Sequence, residues 1–64
     1  MIRLNGEERA FVSESVDEML DRLEIEPRGV AVAIDGDVVR RSEWPITRIQ
    51  DGCSIEIVTA VAGG

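Results

Sequence analysis

Histidine and lysine are both absent from the 64 residues, and cysteine occurs once, as Cys53. Without imidazole, and with a single thiol, the nitrogen and sulfur ligands of a structural zinc site are missing and no intramolecular disulfide can form. The missing histidine also removes the commonest general base, and Cys53 has no activating neighbour in the sequence, so no nucleophile–base pair can be assembled. A chain without lysine cannot build lysine-linked polymers of itself. Long apolar runs are lacking too: nothing approaches the roughly 20 residues of a membrane span. The opening stretch, MIRLNGEERA, has neither the basic start nor the apolar core of a signal peptide. These absences point to a cytoplasmic chain that is not an enzyme, holds no metal and does not engage a membrane.

What is present suits one small folded domain. The composition, 44% hydrophobic and 31% charged, is that of an ordinary globular chain. A domain of this length buries only about 60% of its unfolded surface, which leaves room for one modest core and no elaborate cleft. The formal charge of −6 opposes nucleic acid, whose phosphates are met by basic clusters, and favours an electropositive protein partner. Neither a linker nor a repeat breaks the sequence, so residues 1–64 read as one domain, with 59–64 as an extended tail.

Short apolar-containing runs, Ile2 to Leu4 and Arg9 to Val12, flank Asn5-Gly6, a dipeptide suited to the positive φ angles of a tight hairpin. Ser15-Val16-Asp17-Glu18 has the spacing of a capping box, with hydroxyl and carboxylate exchanging backbone bonds at a helix start. Val16, Met19, Leu20 and Leu23 then recur at helical spacing, while Asp17, Asp21 and Arg22 fall on the other side. Pro27 and Gly29 end that segment. Val30 to Ile34, β-branched and bounded by turn residues, reads as a buried central strand. Asp35-Gly36 turns the chain into Val38-Val39-Arg40, and Ser42 to Pro45 breaks the pattern as a loop anchored by Trp44. Ile46 and Ile49 are expected to dip into the core. After Asp51-Gly52, the run Cys53 to Val58 reads as a last strand with Ile55 and Ile57 facing inward.

Hairpin, helix and three further strands, with one helix to cover one face of a mixed sheet, is the order of an α+β, ubiquitin-like β-grasp domain with about five short strands, and the small residues at its end are expected to form a flexible C-terminal tail. The sequence closes on Val61-Ala62-Gly63-Gly64. Two final glycines arise by chance roughly once in 200 chains if glycine is about 7% of residues, so the pair alone is weak. On a β-grasp domain it gains meaning. A carboxylate flanked by no Cβ atoms can enter a narrow channel in backbone conformations closed to other residues.

Over essentially its whole length the sequence resembles the ThiS family of sulfur carriers. The matching stretches are Leu4-Asn5-Gly6, Ser15 to Leu20, Val32 to Val39 leading to Arg41-Ser42-Glu43-Trp44, Gln50-Asp51-Gly52, and Val61-Ala62-Gly63-Gly64. Departures are Cys53, where the family often has a polar or acidic residue, and Pro27-Arg28 in a variable loop. The resemblance implies that Gly64 is adenylated by an E1-like activating enzyme of the ThiF type, which uses ATP and magnesium. The activated carbonyl then takes sulfur from a donor such as a cysteine desulfurase. It implies that the Gly64 thiocarboxylate is passed to a thiazole synthase of the ThiG type, with Val61, Ala62 and Gly63 recognised as the tail and the free carrier a monomer.

Other readings leave marks of their own. The carrier subunit of molybdopterin synthase shares the Gly-Gly ending but is usually longer and richer in aromatics near the tail, whereas no phenylalanine lies beyond Phe11 here. A ubiquitin-like modifier would join Gly64 to lysines of other proteins, and a plain binding module would survive loss of Gly63 and Gly64. Cys53 is read as a small core or edge residue rather than a persulfide relay, and Trp44 as a packing residue. Asp35-Gly36-Asp37 lacks the other ligands of a calcium loop and reads as a hairpin turn. The acidic set Glu14, Asp17, Glu18, Asp21, Glu24 and Glu26 is read as a solvated helix face that can steer association.

Overall fold

Asn5 and Gly6 adopt φ angles of 50° and 85°, the doubly positive pair that closes a two-residue hairpin without splaying its strands. The computed structural model, which describes residues 1–59, places this turn between β1 (Ile2–Leu4) and β2 (Glu7–Arg9). Because the turn is so short, Glu7 already stands opposite Leu4, and Ile2 opposite Arg9. The second strand therefore lies earlier than the expected Arg9 to Val12, and Ala10 to Ser13 form the passage to the helix.

The helix α1 (Val16–Arg22) starts with the full capping box: the Glu18 N–H donates to Ser15 Oγ at 3.1 Å and the Ser15 N–H to Glu18 Oε1 at 2.9 Å. Val16, Met19 and Leu20 are buried against the sheet and Leu23 packs beside them, as the spacing predicts. The remaining elements are β3 (Val30–Ile34), β4 (Asp37–Val39), a 3-10 helix (Arg41–Ile46) and β5 (Ser54–Thr59). The 3-10 helix replaces the expected loop. Its turn seats Trp44, 3% exposed, in the core, with the indole N–H donating to the Val39 carbonyl at 3.0 Å. Ile46, at the end of this turn, is 77% exposed and so does not join the core as expected, whereas Ile49 does.

The five strands form one sheet in the order β2-β1-β5-β3-β4. The central strand is β5, parallel to β1 and antiparallel to β3, and not Val30–Ile34 as expected: β3 lies between β5 and the edge strand β4, and only Val32 of its five residues is fully buried. Alternation sends Ile55 and Ile57 toward α1, with Ile55 fully buried and Ile57 packed against the core. Cys53 is buried just ahead of the strand, in keeping with a core residue. The start of α1 is bound to the segment before β5: the Val16 N–H donates to the Thr47 carbonyl at 2.9 Å and the Ile49 N–H to that of Glu14 at 2.8 Å. Among the described residues, no helix is long and apolar enough to cross a membrane.

Candidate functional site

The residues singled out for chemistry, Gly64 with Val61, Ala62 and Gly63, lie outside the described residues. What the structure shows is the platform that leads to them. Thr59, the last residue of β5, pairs with Val30, so the tail follows directly from the middle of the sheet. β5 is paired with β1 at Ser54 and Ile55 and with β3 from Ile55 to Thr59, so its last residues are held by strand pairing on the β3 side.

Two side chains extend those ladders. Asp35, at φ 51°, donates its N–H to the Ser54 carbonyl at 2.7 Å while its Oδ1 accepts from the Ser54 N–H at 2.9 Å. On the other flank the Asn5 N–H donates to the Ile55 carbonyl at 2.9 Å, and Asn5 Oδ1 accepts from the Ile57 N–H at 2.8 Å. Sequence reasoning assigned both residues to turns and missed these bonds. Asx side chains do bond to backbone, but here the partners are up to 52 positions away in sequence, beyond any local pattern.

On the face of the sheet opposite α1, Ala31 and Ala33 of β3, Val38 of β4 and Val58 of β5 surround a shallow depression of about 210 Å³, with Glu56 at its edge. Val38 and Val58 are 74% and 58% exposed. The small alanines leave the sheet surface low between the two valines, so an apolar area adjoins the strand that leads to the tail. Arg3 and Glu8 continue this face on the far strands and sit 3.8 Å apart.

Charge is arranged unevenly on the helix side. Glu14 is only 7% exposed, and Arg22 grips both its oxygens, Nε at 3.0 and 3.2 Å and Nη2 at 2.7 Å. Glu14 thus departs from the solvated face on which it was placed. This hydrogen bond from Arg22 holds the guanidinium pKa above its ordinary value. Asp17, Glu18, Asp21, Glu24 and Glu26 are exposed, as read from the sequence. The backbone and hydroxyl bonds from Ser15 hold the Glu18 carboxyl below the usual carboxylate range, with Arg48 helping. Among the described residues, no group of three or more His, Cys, Asp or Glu could hold a metal ion.

A sequence-family model described as the ThiS family matches residues 2–64. The chain belongs to the ThiS family. It is 33% identical over 64 residues to the sulfur carrier protein ThiS of Thermus thermophilus, with both chains covered in full. Escherichia coli ThiS is 35% identical over 51 residues, which cover 80% of this chain and 77% of that one. A thiazole synthase of Paramagnetospirillum magneticum is 37% identical over 62 residues, covering 95% of this chain but 19% of the larger protein. The crystal structure of ThiS from Geobacter metallireducens superposes with a TM-score of 0.86 at 27% identity, covering 98% of this chain and 97% of that one. The β-grasp architecture is therefore shared with a ThiS of known structure.

Proposed function

We propose that residues 1–64 form a single carrier domain that supplies sulfur for the thiazole of thiamine, and that Gly64 is the group that carries it. The observation that bears most weight is the family match over residues 2–64, which includes the Gly63-Gly64 pair. Full-length similarity to a named sulfur carrier supports the same reading. The similarity of almost the whole chain to a 19% portion of a thiazole synthase supports that enzyme class as the acceptor. The free carrier is a monomer of the cytoplasm.

The chemistry follows from the poor electrophilicity of a carboxylate. An activating enzyme of the ThiF type, using ATP and magnesium, joins the Gly64 carboxylate oxygen to the α-phosphorus, and pyrophosphate leaves. A persulfide sulfur, provided by a desulfurase, attacks the resulting carbonyl and AMP departs. A thiol then cleaves the acyl disulfide, becoming oxidised to a disulfide as the acyl sulfur is released as a thiocarboxylate. This chain contributes the carbonyl and its presentation; it is a substrate of these enzymes and not itself a catalyst. Glycine at the last two positions suits the passage of that carbonyl through a narrow channel.

Intact mass tests the proposal. After incubation with ATP, magnesium, a sulfide source and a ThiF-type enzyme, the chain should gain the mass of one oxygen-to-sulfur exchange, and a variant lacking Gly64 should not. An unchanged mass beside an enzyme shown to be active would sink the carrier reading.

A further inference from the structure

β2 is the outermost strand on its side of the sheet, and its three residues are all exposed. A two-residue turn makes the residues that flank it, Leu4 and Glu7, a hydrogen-bonded pair, and the pairs of an antiparallel ladder alternate between bonded and unbonded. The next pair, Arg3 and Glu8, is therefore of the unbonded kind, and the Glu8 N–H and carbonyl point outward from the sheet. The described residues give these two groups no other backbone partner. Such an edge is a template on which another extended chain can pair.

Between this edge and α1 lies a groove of about 230 Å³. Buried Ile2 and Leu4 of β1 and Met19 of α1 form its floor, with Leu23 beside them. Arg9 and Arg22, half exposed, form its rim. Both arginines are committed only in part. Arg9 Nη2 lies 3.7 Å from Glu7 Oε1, beyond hydrogen-bond reach. Arg22 binds Glu14 through Nε and Nη2, which leaves its Nη1 free among the described residues. On a chain of net charge −6, an apolar floor beneath two arginines selects for a ligand that is apolar and anionic at once.

We propose that the β2 edge and this groove form a docking site for an extended peptide segment of a partner protein, one in which an apolar side chain has a carboxylate two residues away. The segment pairs with Glu8 as an added strand. Its side chains alternate, so every second one faces α1: the apolar side chain enters the groove, and the carboxylate on the same face meets Arg9 or Nη1 of Arg22. Main-chain bonds supply affinity, and the charged rim supplies the choice of sequence. β1 separates this edge from β5, and the groove lies on the face of the sheet opposite the apolar area around Val38 and Val58. A partner held here leaves both uncovered. The site goes beyond the carrier reading and does not depend on it.

The probe is the blocked pentapeptide Asp-Thr-Leu-Thr-Asp, whose first, third and fifth side chains share one face in a strand. Titrated into the isotope-labelled full chain and followed by NMR, it should shift the amides of Glu8, Arg9 and Leu23 with a Kd of about 2 mM. The counterpart Lys-Thr-Leu-Thr-Lys should bind about tenfold more weakly, and Arg9→Glu should weaken the acidic peptide by about tenfold. No shift at about 10 mM peptide, shifts confined to other faces, or equal binding of the two peptides overturns the proposal. The comparison of peptides uses the parent chain alone and so stands whether or not the variant folds. A folded Arg9→Glu chain that binds the acidic peptide as the parent does overturns it as well.

Discussion

At the scale of single residues, the pair Glu14–Arg22 is the most exacting feature of the helix side. Two carboxylate oxygens are gripped by one guanidinium, and Glu14 is nearly closed to water. Removing the cation leaves a buried carboxylate without its partner, a change that costs more than the pair contributes when intact. The Arg22 side chain is 45% exposed, so water can replace part of what is lost. Arg22→Ala should therefore destabilise the fold by about 1–2 kcal/mol, read as a lower urea midpoint at unchanged slope. Arg22→Lys should recover only part of this, since an ammonium cannot match two oxygens in fork geometry. Glu14 also shows where reading by residue type stops. Its acidity and its place before a helix suggest exposure, whereas its carbonyl is bonded by the Ile49 N–H and its carboxylate by Arg22, contacts that no local pattern announces.

At the scale of elements, α1 was legible because its signals are local: the capping box and the helical spacing of Val16, Met19 and Leu20 all lie within a few residues. The box also sets a pH response. Glu18 titrates below the ordinary carboxylate range when folded, so its contribution is complete above that range and is lost as pH falls through the lower folded value. Glu18→Gln retains an acceptor for the Ser15 N–H but does not titrate. Its thermal stability should accordingly fall less steeply on acidification than that of the parent, as followed by circular dichroism; parallel curves would refute this role for Glu18. β3 and β5 were legible from β-branched runs bounded by turns, whereas β2 was shifted because the register of a hairpin is set by its turn and not by composition. The 3-10 helix was missed because Pro45, read as a pattern breaker, is accommodated inside the turn that seats Trp44. The platform beneath the tail was half visible: the strand could be read, but the bonds from Asn5 and Asp35 are tertiary.

At the scale of the whole molecule, a net charge of −6 with an exposed acidic row on α1 produces a field that an electropositive partner will feel before contact. On the proposed carrier reading, the association rate with a ThiF-type enzyme should therefore fall as ionic strength rises, in stopped-flow measurements, while the dissociation rate changes little. An on-rate indifferent to salt would remove steering from the account. The family and its architecture were legible at this scale because the matching stretches run from the first hairpin to the final glycines.

The central place of β5 has a mechanical consequence. A partner that tugs on the residues after Thr59 loads the strand along its own axis, between β1 on one side and β3 on the other. Inter-strand bonds lie across that axis and resist together, in shear, whereas an edge strand such as β4 could be peeled away one bond at a time. On the proposed carrier reading, a pull on the tail leaves the sheet that bears it intact.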